Sequence, residues 1–148
     1  MTGRRSSGPA ASRRRAKTPL ILVVDDYADN REMYSAYLRF QGLEVVEAAN
    51  GTEALEHAFE RRPDLVVMDL SLPGVDGWQA TRMLKADART KDIPVIAVTG
   101  HALAGAPERA AEAGCDGFLT KPCLPEDLLR EIQRMLDRGR DADHSKKR

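Results

Sequence analysis

Cysteine is scarce: two in 148 residues, Cys115 and Cys123, at a spacing that fits neither a metal knuckle nor a redox pair. A disulfide framework is thereby excluded, and both side chains read as reduced thiols, which suits a reducing compartment. Histidine is nearly as rare, and His57, His101 and His144 complete no zinc site. Long apolar runs are missing too. The longest are about five residues, too short to cross a bilayer. No apolar stretch of signal-peptide length follows the basic start of the chain.

Net charge is also absent, at +0, but only as an average. Residues 1–18 carry six basic residues (Arg4, Arg5, Arg13, Arg14, Arg15, Lys17) and no acid. Residues 138–148 carry five basic residues and two acids, which leaves 12 basic and 21 acidic residues between 19 and 137. A globule of charge about −9 with basic ends is a poor match for a duplex-DNA reader, whose positive surface lies on the fold itself. With so little to bury, residues 1–18 read as a disordered basic tail, 19–137 as one domain and 138–148 as a second polar tail. Arg13-Arg14-Arg15 reads first as a solvated run and second as an electrostatic handle for an acidic partner, nucleic acid or anionic lipid.

What is present is a repeated alternation. Leu20–Val24, Glu44–Ala48, Leu65–Asp69, Val95–Thr99 and Gly117–Thr120 read as strands. Leu65-Val66-Val67-Met68, bounded by Pro63 and by Ser71-Leu72-Pro73-Gly74, is apolar without a break and reads as a strand buried on both faces. Helices are expected between the strands. The first runs from about Asp29 to Gln41, with Met33, Ala36, Tyr37 and Phe40 on its buried face and Gly42 as its stop. The second is capped by Asn50 and buries Ala54, Leu55, Ala58 and Phe59. A third follows Asp76-Gly77 over about Trp78 to Ala88. A fourth, over about Pro107 to Ala113, is Ala-rich and loosely held. The last opens at Pro125 and buries Leu128, Ile132, Met135 and Leu136. Five β-α units predict an α/β doubly wound, five-stranded parallel sheet with helices on both faces.

In such a sheet the chemistry gathers where the strands end. The first strand ends at Asp25-Asp26, the third on Asp69, the fourth on Thr99 and the fifth before Lys121. Three carboxylates in one cleft repel unless a cation neutralises them, and an all-oxygen site with room for water suits Mg²⁺, with Mn²⁺ as its substitute. Carboxylate, lysine, hydroxyl and Mg²⁺ together are the equipment for phosphoryl transfer to an aspartate.

These residues carry a family resemblance. Asp25-Asp26, Asp69 with Pro73 four residues on, Asp76-Gly77, Thr99-Gly100 and Lys121-Pro122 stand in the order seen in receiver domains of two-component response regulators. The resemblance spans about Pro19 to Asp137. The segment Gly77 to Ala102, with Gly114 to Phe118, is similar to short regulators and phosphorelay receivers. It implies strand order 2-1-3-4-5, as in CheY-like stand-alone receivers. It makes Asp69 the phosphoacceptor, with Asp26, Asp69 and the Ser71 carbonyl ligating Mg²⁺ and Asp25 acting through water. It also implies that Lys121 contacts the acceptor and then the phosphoryl group, and that Thr99 and Phe118 switch together to reshape the surface of the fourth helix and fifth strand. A cis peptide is implied at Lys121-Pro122.

The partners so implied are a sensor histidine kinase or histidine phosphotransfer protein and a downstream effector protein, with no nucleic acid bound by the folded domain. The chain would be cytoplasmic, a monomer or a weak phosphorylation-dependent dimer, without an output domain, catalysing only its own phosphoryl uptake and loss. Competing readings are weaker. A binding module that is never phosphorylated has no use for an intact acidic site. An aspartate phosphatase wants a second acid where Ser71 stands, and a flavin protein wants a phosphate loop where Asp25-Asp26 stands. Asp76 reads as a turn and cap residue, Trp78 as packing or surface, and His101 as either an exposed loop residue or a modulator of water access.

Overall fold

The computed structural model describes residues 18–70, 77–100 and 106–146. The arginine-rich tail, Ser71, Pro73, Asp76 and His101 lie outside the described residues. In chain order the elements are β1 (Leu20–Val24), α1 (Ala28–Phe40), β2 (Glu44–Ala48), α2 (Gly51–Arg61) and β3 (Leu65–Asp69). They continue with α3 (Gly77–Ala86), β4 (Val95–Thr99), α4 (Ala106–Ala113), β5 (Gly117–Thr120) and α5 (Pro125–Lys146). Helix α5 thus continues past Asp137, where the core-facing pattern ends.

All five strands are parallel, in the order β2-β1-β3-β4-β5. β1, β3 and β4 are buried along their whole length. That is the cause of their unbroken apolar runs, since each faces helices on both sides. Alternate side chains divide between two cores. Leu22, Val24, Val66, Met68, Val95 and Ala97 meet α2, α3 and α4 on one face. Ile21, Val23, Leu65, Val67, Ile96 and Val98 meet α1 and α5 on the other. Leu128, Ile132 and Met135 of α5 are buried as the spacing predicts, while Leu136 is half-buried. Ala54, Leu55 and Ala58 of α2 are likewise buried, and Phe59 is half-buried with the Arg89 guanidinium 4.3 Å from its ring. Asn50 caps α2, its Oδ1 accepting the Glu53 N–H at 2.9 Å. Gly42 stops α1 at φ +94, a conformation that costs a residue with a Cβ.

The face of α1 is a correction. Met33 is 42% exposed and Phe40 85% exposed, and Ala36 is exposed as well. The helix buries Tyr34, Ser35 and Leu38 instead, with Tyr37 half-buried. Two stripes of helical period interleave on α1, and periodicity alone does not choose between them. The more apolar stripe lost because the helix is rotated so that Tyr34 and Leu38 join the α5 side of the core.

At the amino edge of the sheet, polar groups form a closed network. Lys85 Nζ reaches the Ile93 carbonyl at 2.8 Å, the Lys91 carbonyl at 3.3 Å and Asp116 Oδ2 at 2.9 Å. The same Asp116 oxygen accepts the Val95 N–H at 2.8 Å. Asp64 Oδ2 accepts the Leu20 N–H at 2.7 Å, so each of these loops is tied to the start of a strand.

Candidate functional site

Parallel strands in this register put their carboxyl ends level. Val24 pairs with Met68, so Asp25 and Asp69 follow side by side, and Asp69 in turn pairs with Val98, the residue before Thr99. Asp25 is 3% exposed and Asp69 5%, whereas Asp26 is exposed. One carboxylate oxygen from each of Asp25, Asp26 and Asp69 lies within 4.8 Å of the others. Among the described residues this is the cluster whose donor atoms converge closely enough to share one ion.

A hard divalent cation fits the donor set. Three carboxylates with one ammonium leave excess negative charge in a half-dry cleft, and oxygen-only ligation with an open side for water is the preference of Mg²⁺. Ser71, assigned a fourth ligand by the resemblance, is outside the described residues.

Lys121 is the cation the chain itself supplies. Its Nζ donates to Asp25 Oδ2 at 3.0 Å and lies 3.5 Å from Asp69 Oδ2. Burial pulls the ammonium pKa down, but the hydrogen bond that the ammonium donates to Asp25 and the charges of Asp69 and Asp25 outweigh it, and the net shift is upward. The structure therefore brings Lys121 to both buried acids and nearer to Asp25. Its strand is held by the Lys121 N–H, which donates to the Thr99 carbonyl at 2.8 Å. Thr99, 3% exposed, ends β4 beside Thr120, and the Lys121-Pro122 peptide is cis as the resemblance implies.

The floor of the cleft is set by a close approach. A Cβ on Gly77 would stand 2.1 Å from the Asp69 carbonyl oxygen, so only glycine lets α3 begin against the end of β3. Phe118 is half-buried against the α2–α4 core. Trp78 packs on the same core and has the Arg109 guanidinium 4.7 Å from its ring.

Two supports were not legible in the sequence. Arg31 Nη1 donates to the Asp25 carbonyl at 2.8 Å while its Nε bonds Glu47 at 3.1 Å, pinning the acidic turn to β2. Tyr34 Oη donates to the Cys123 carbonyl at 2.8 Å. The only signal for the second was a phenol at a helical position that an aliphatic residue would fill. For the first there was none.

Residues 21–133 match the family described as the response regulator receiver domain. The chain is 40% identical over 116 residues to the polar-differentiation response regulator DivK of Brucella anthropi, covering 78% of this chain and 94% of that one. A CheY-like response regulator receiver domain protein from Methanospirillum hungatei superposes with TM-score 0.80 at 28% identity, over 85% of this chain and 99% of that one. The receiver domain of a sensor histidine kinase from Pseudomonas aeruginosa, described with a magnesium ion coordinated in its active site cleft, gives TM-score 0.75 at 36% identity, over 81% and 98%.

Proposed function

The chain belongs to the response regulator receiver family of two-component signalling, and from that premise we propose that it is a Mg²⁺-dependent phosphoryl acceptor with Asp69 as the acceptor residue. The observation that carries the reading is the convergence of Asp25, Asp26 and Asp69 with Lys121 bonded into the cluster. A carboxylate buried at a strand end, with an ammonium beside it and two further acids to recruit a cation, is equipped to attack phosphorus.

Asp26 and Asp69 would hold the cation directly and Asp25 through water, with the Ser71 carbonyl as a further ligand. When bound, Mg²⁺ offsets charge on the phosphoryl oxygens and on the acids around them. An Asp69 oxygen attacks the phosphorus of a phosphohistidine, the N–P bond breaks, and an acyl phosphate forms as the imidazole leaves. Lys121 transfers its attention from the carboxylates to the phosphoryl group, and the Thr99 hydroxyl donates to one of its oxygens. The new group brings nearly two negative charges to the cleft. Thr99 and Phe118 then move together. The α4–β5 surface changes with them, because among its described residues α4 has only Ala110 and Ala113 buried in the core and little packing to lose. The donor is a histidine kinase or histidine phosphotransfer protein in the cytoplasm, and the reader is an effector protein. The chain turns over no other substrate.

Intact mass after incubation with acetyl phosphate and Mg²⁺ tests this. A gain of ~80 Da, one phosphoryl group, is expected in the wild type and not in Asp69→Asn. An equal gain in both rejects Asp69 as the acceptor, and no gain in either favours a module that works without phosphorylation.

A further inference from the structure

Tyr34 places a polar atom where the helix needs none. Its side chain is 6% exposed and belongs to the core shared by α1 and α5. A phenylalanine would fill the same space, and a buried phenol is costly unless its hydroxyl finds a partner. The partner is the Cys123 carbonyl, 2.8 Å away and 89 residues along the chain.

Cys123 stands two residues beyond Lys121, and the backbone between β5 and α5 has few other holds. The Lys121 N–H donates to the Thr99 carbonyl at 2.8 Å, which fixes the near end. Pro122 is exposed and has no N–H to give. The Leu124 carbonyl accepts from the Asp127 and Leu128 N–H groups at 3.0 and 3.1 Å, which fixes the far end in the first turn of α5. The Tyr34 hydroxyl clamps the span between these two anchors.

The same helix holds the opposite wall. Arg31, one turn before Tyr34, donates to the Asp25 carbonyl at 2.8 Å. Helix α1 therefore spaces the acidic turn against the lysine segment. The phenol lies within electrostatic reach of both. Burial and then Cys123 raise its pKa, the Lys121 ammonium lowers it, and Asp25 raises it again.

We infer that Tyr34 is a positioning residue for Lys121: its hydrogen bond to Cys123 holds the segment that aims the ammonium at the acceptor carboxylate. Lys121 sits 3.0 Å from Asp25 and 3.5 Å from Asp69, so a small drift of that segment changes which acid it serves. The role rests on the acceptor reading of Asp69.

The test is Tyr34→Phe, which keeps the ring and its packing and removes only the donor. Phosphoryl uptake from acetyl phosphate is followed by intact mass across a Mg²⁺ titration, in the wild-type and Lys121→Ala backgrounds. Tyr34→Phe is expected to slow uptake roughly threefold to tenfold, the size of one net hydrogen bond. The half-saturating Mg²⁺ concentration should stay within about twofold, since Tyr34 bonds none of the acids whose oxygens converge. In the Lys121→Ala background the same change should leave the residual rate unaltered, because the two residues act as one unit. The Cys123 carbonyl ¹³C shift should move in Tyr34→Phe, and an unmoved shift overturns the inference. So does a wild-type uptake rate in Tyr34→Phe, or an equal fractional loss with and without Lys121. If the wild type itself gains no mass, the acceptor reading falls and takes this role with it; if the wild type gains mass and Tyr34→Phe matches it, the positioning role alone falls.

Discussion

The two edges of the sheet spend their charges differently. At the amino edge Lys85 has three N–H donors and three acceptors, the carbonyls of Lys91 and Ile93 and the carboxylate of Asp116. Asp116 in turn takes the Val95 N–H, and its charge is balanced by the lysine. At the carboxyl edge Lys121 faces Asp25 and Asp69, with Asp26 a third acid in the same cluster. One edge is closed and neutral, built to hold loops to strands. The other is left short of positive charge, an excess of like charge that a bound cation would offset and that costs stability without one.

The largest effect should come from breaking the closed edge. Asp116→Ala leaves the Val95 N–H without its carboxylate acceptor and the Lys85 ammonium with two of its three acceptors, and should lower the urea-unfolding free energy by about 1–3 kcal/mol. A loss under about 1 kcal/mol would reduce that network to surface pairing and erase the contrast. Neutralising the other edge should act in the opposite direction. Asp26→Asn removes one like charge from the cluster and should raise stability by about 1 kcal/mol in metal-free buffer. If the proposed Mg²⁺ site is right, Mg²⁺ should raise the wild-type melting temperature by binding the native state, and Asp26→Asn should abolish that rise. If Asp26→Asn destabilises instead, the carboxyl edge is structural and the comparison fails. A smaller effect sharpens the account of the closed edge. Thr90 is buried, its hydroxyl donating to the Leu84 carbonyl at 2.7 Å where α3 gives way to the loop before β4. Thr90→Val should cost about 1 kcal/mol by equilibrium unfolding.

How much of this was legible in the sequence follows from the same contrast. The buried strands were, because Leu65 to Met68 and their neighbours are apolar on both faces and no competing period explains them. The acids, Thr99 and Lys121 were, because a parallel sheet collects strand ends on one edge whatever the loops do. The face of α1 was not: Met33, Ala36, Tyr37 and Phe40 form a better apolar stripe than Tyr34, Ser35 and Leu38, and only tertiary packing chose the second. The closed edge was invisible for a different reason. Asp64, Lys85 and Asp116 are single polar residues near turns, where solvated side chains are the rule, and their partners are backbone groups distant in sequence. The Tyr34–Cys123 bond is hidden in the same way, since nothing local to either residue announces the other.

The last and smallest contrast lies on the pH axis. Cys115 adjoins Asp116 at the closed edge, a free thiol whose pKa is pushed from 9.0 up to about 11. Burial is the main cause; the nearby Thr81 hydroxyl opposes it, Asp116 adds to it and Lys85 opposes it. The native thiol keeps its proton at a pH where the unfolded chain has lost it. Between those two values the native state binds more protons, so stability must fall as pH rises. The contribution is whole below about pH 9, where both states are protonated, and is gone by about pH 11. Cys115→Ala should therefore flatten the stability profile through that window and leave it parallel to the wild type below it. In the same window the wild-type thiol should react with a maleimide more slowly than a free peptide thiol, because the thiolate is the nucleophile. An unchanged alkaline slope in Cys115→Ala would mean that the amino edge opens to water before the thiol ionises, and so is less closed than its hydrogen bonds indicate.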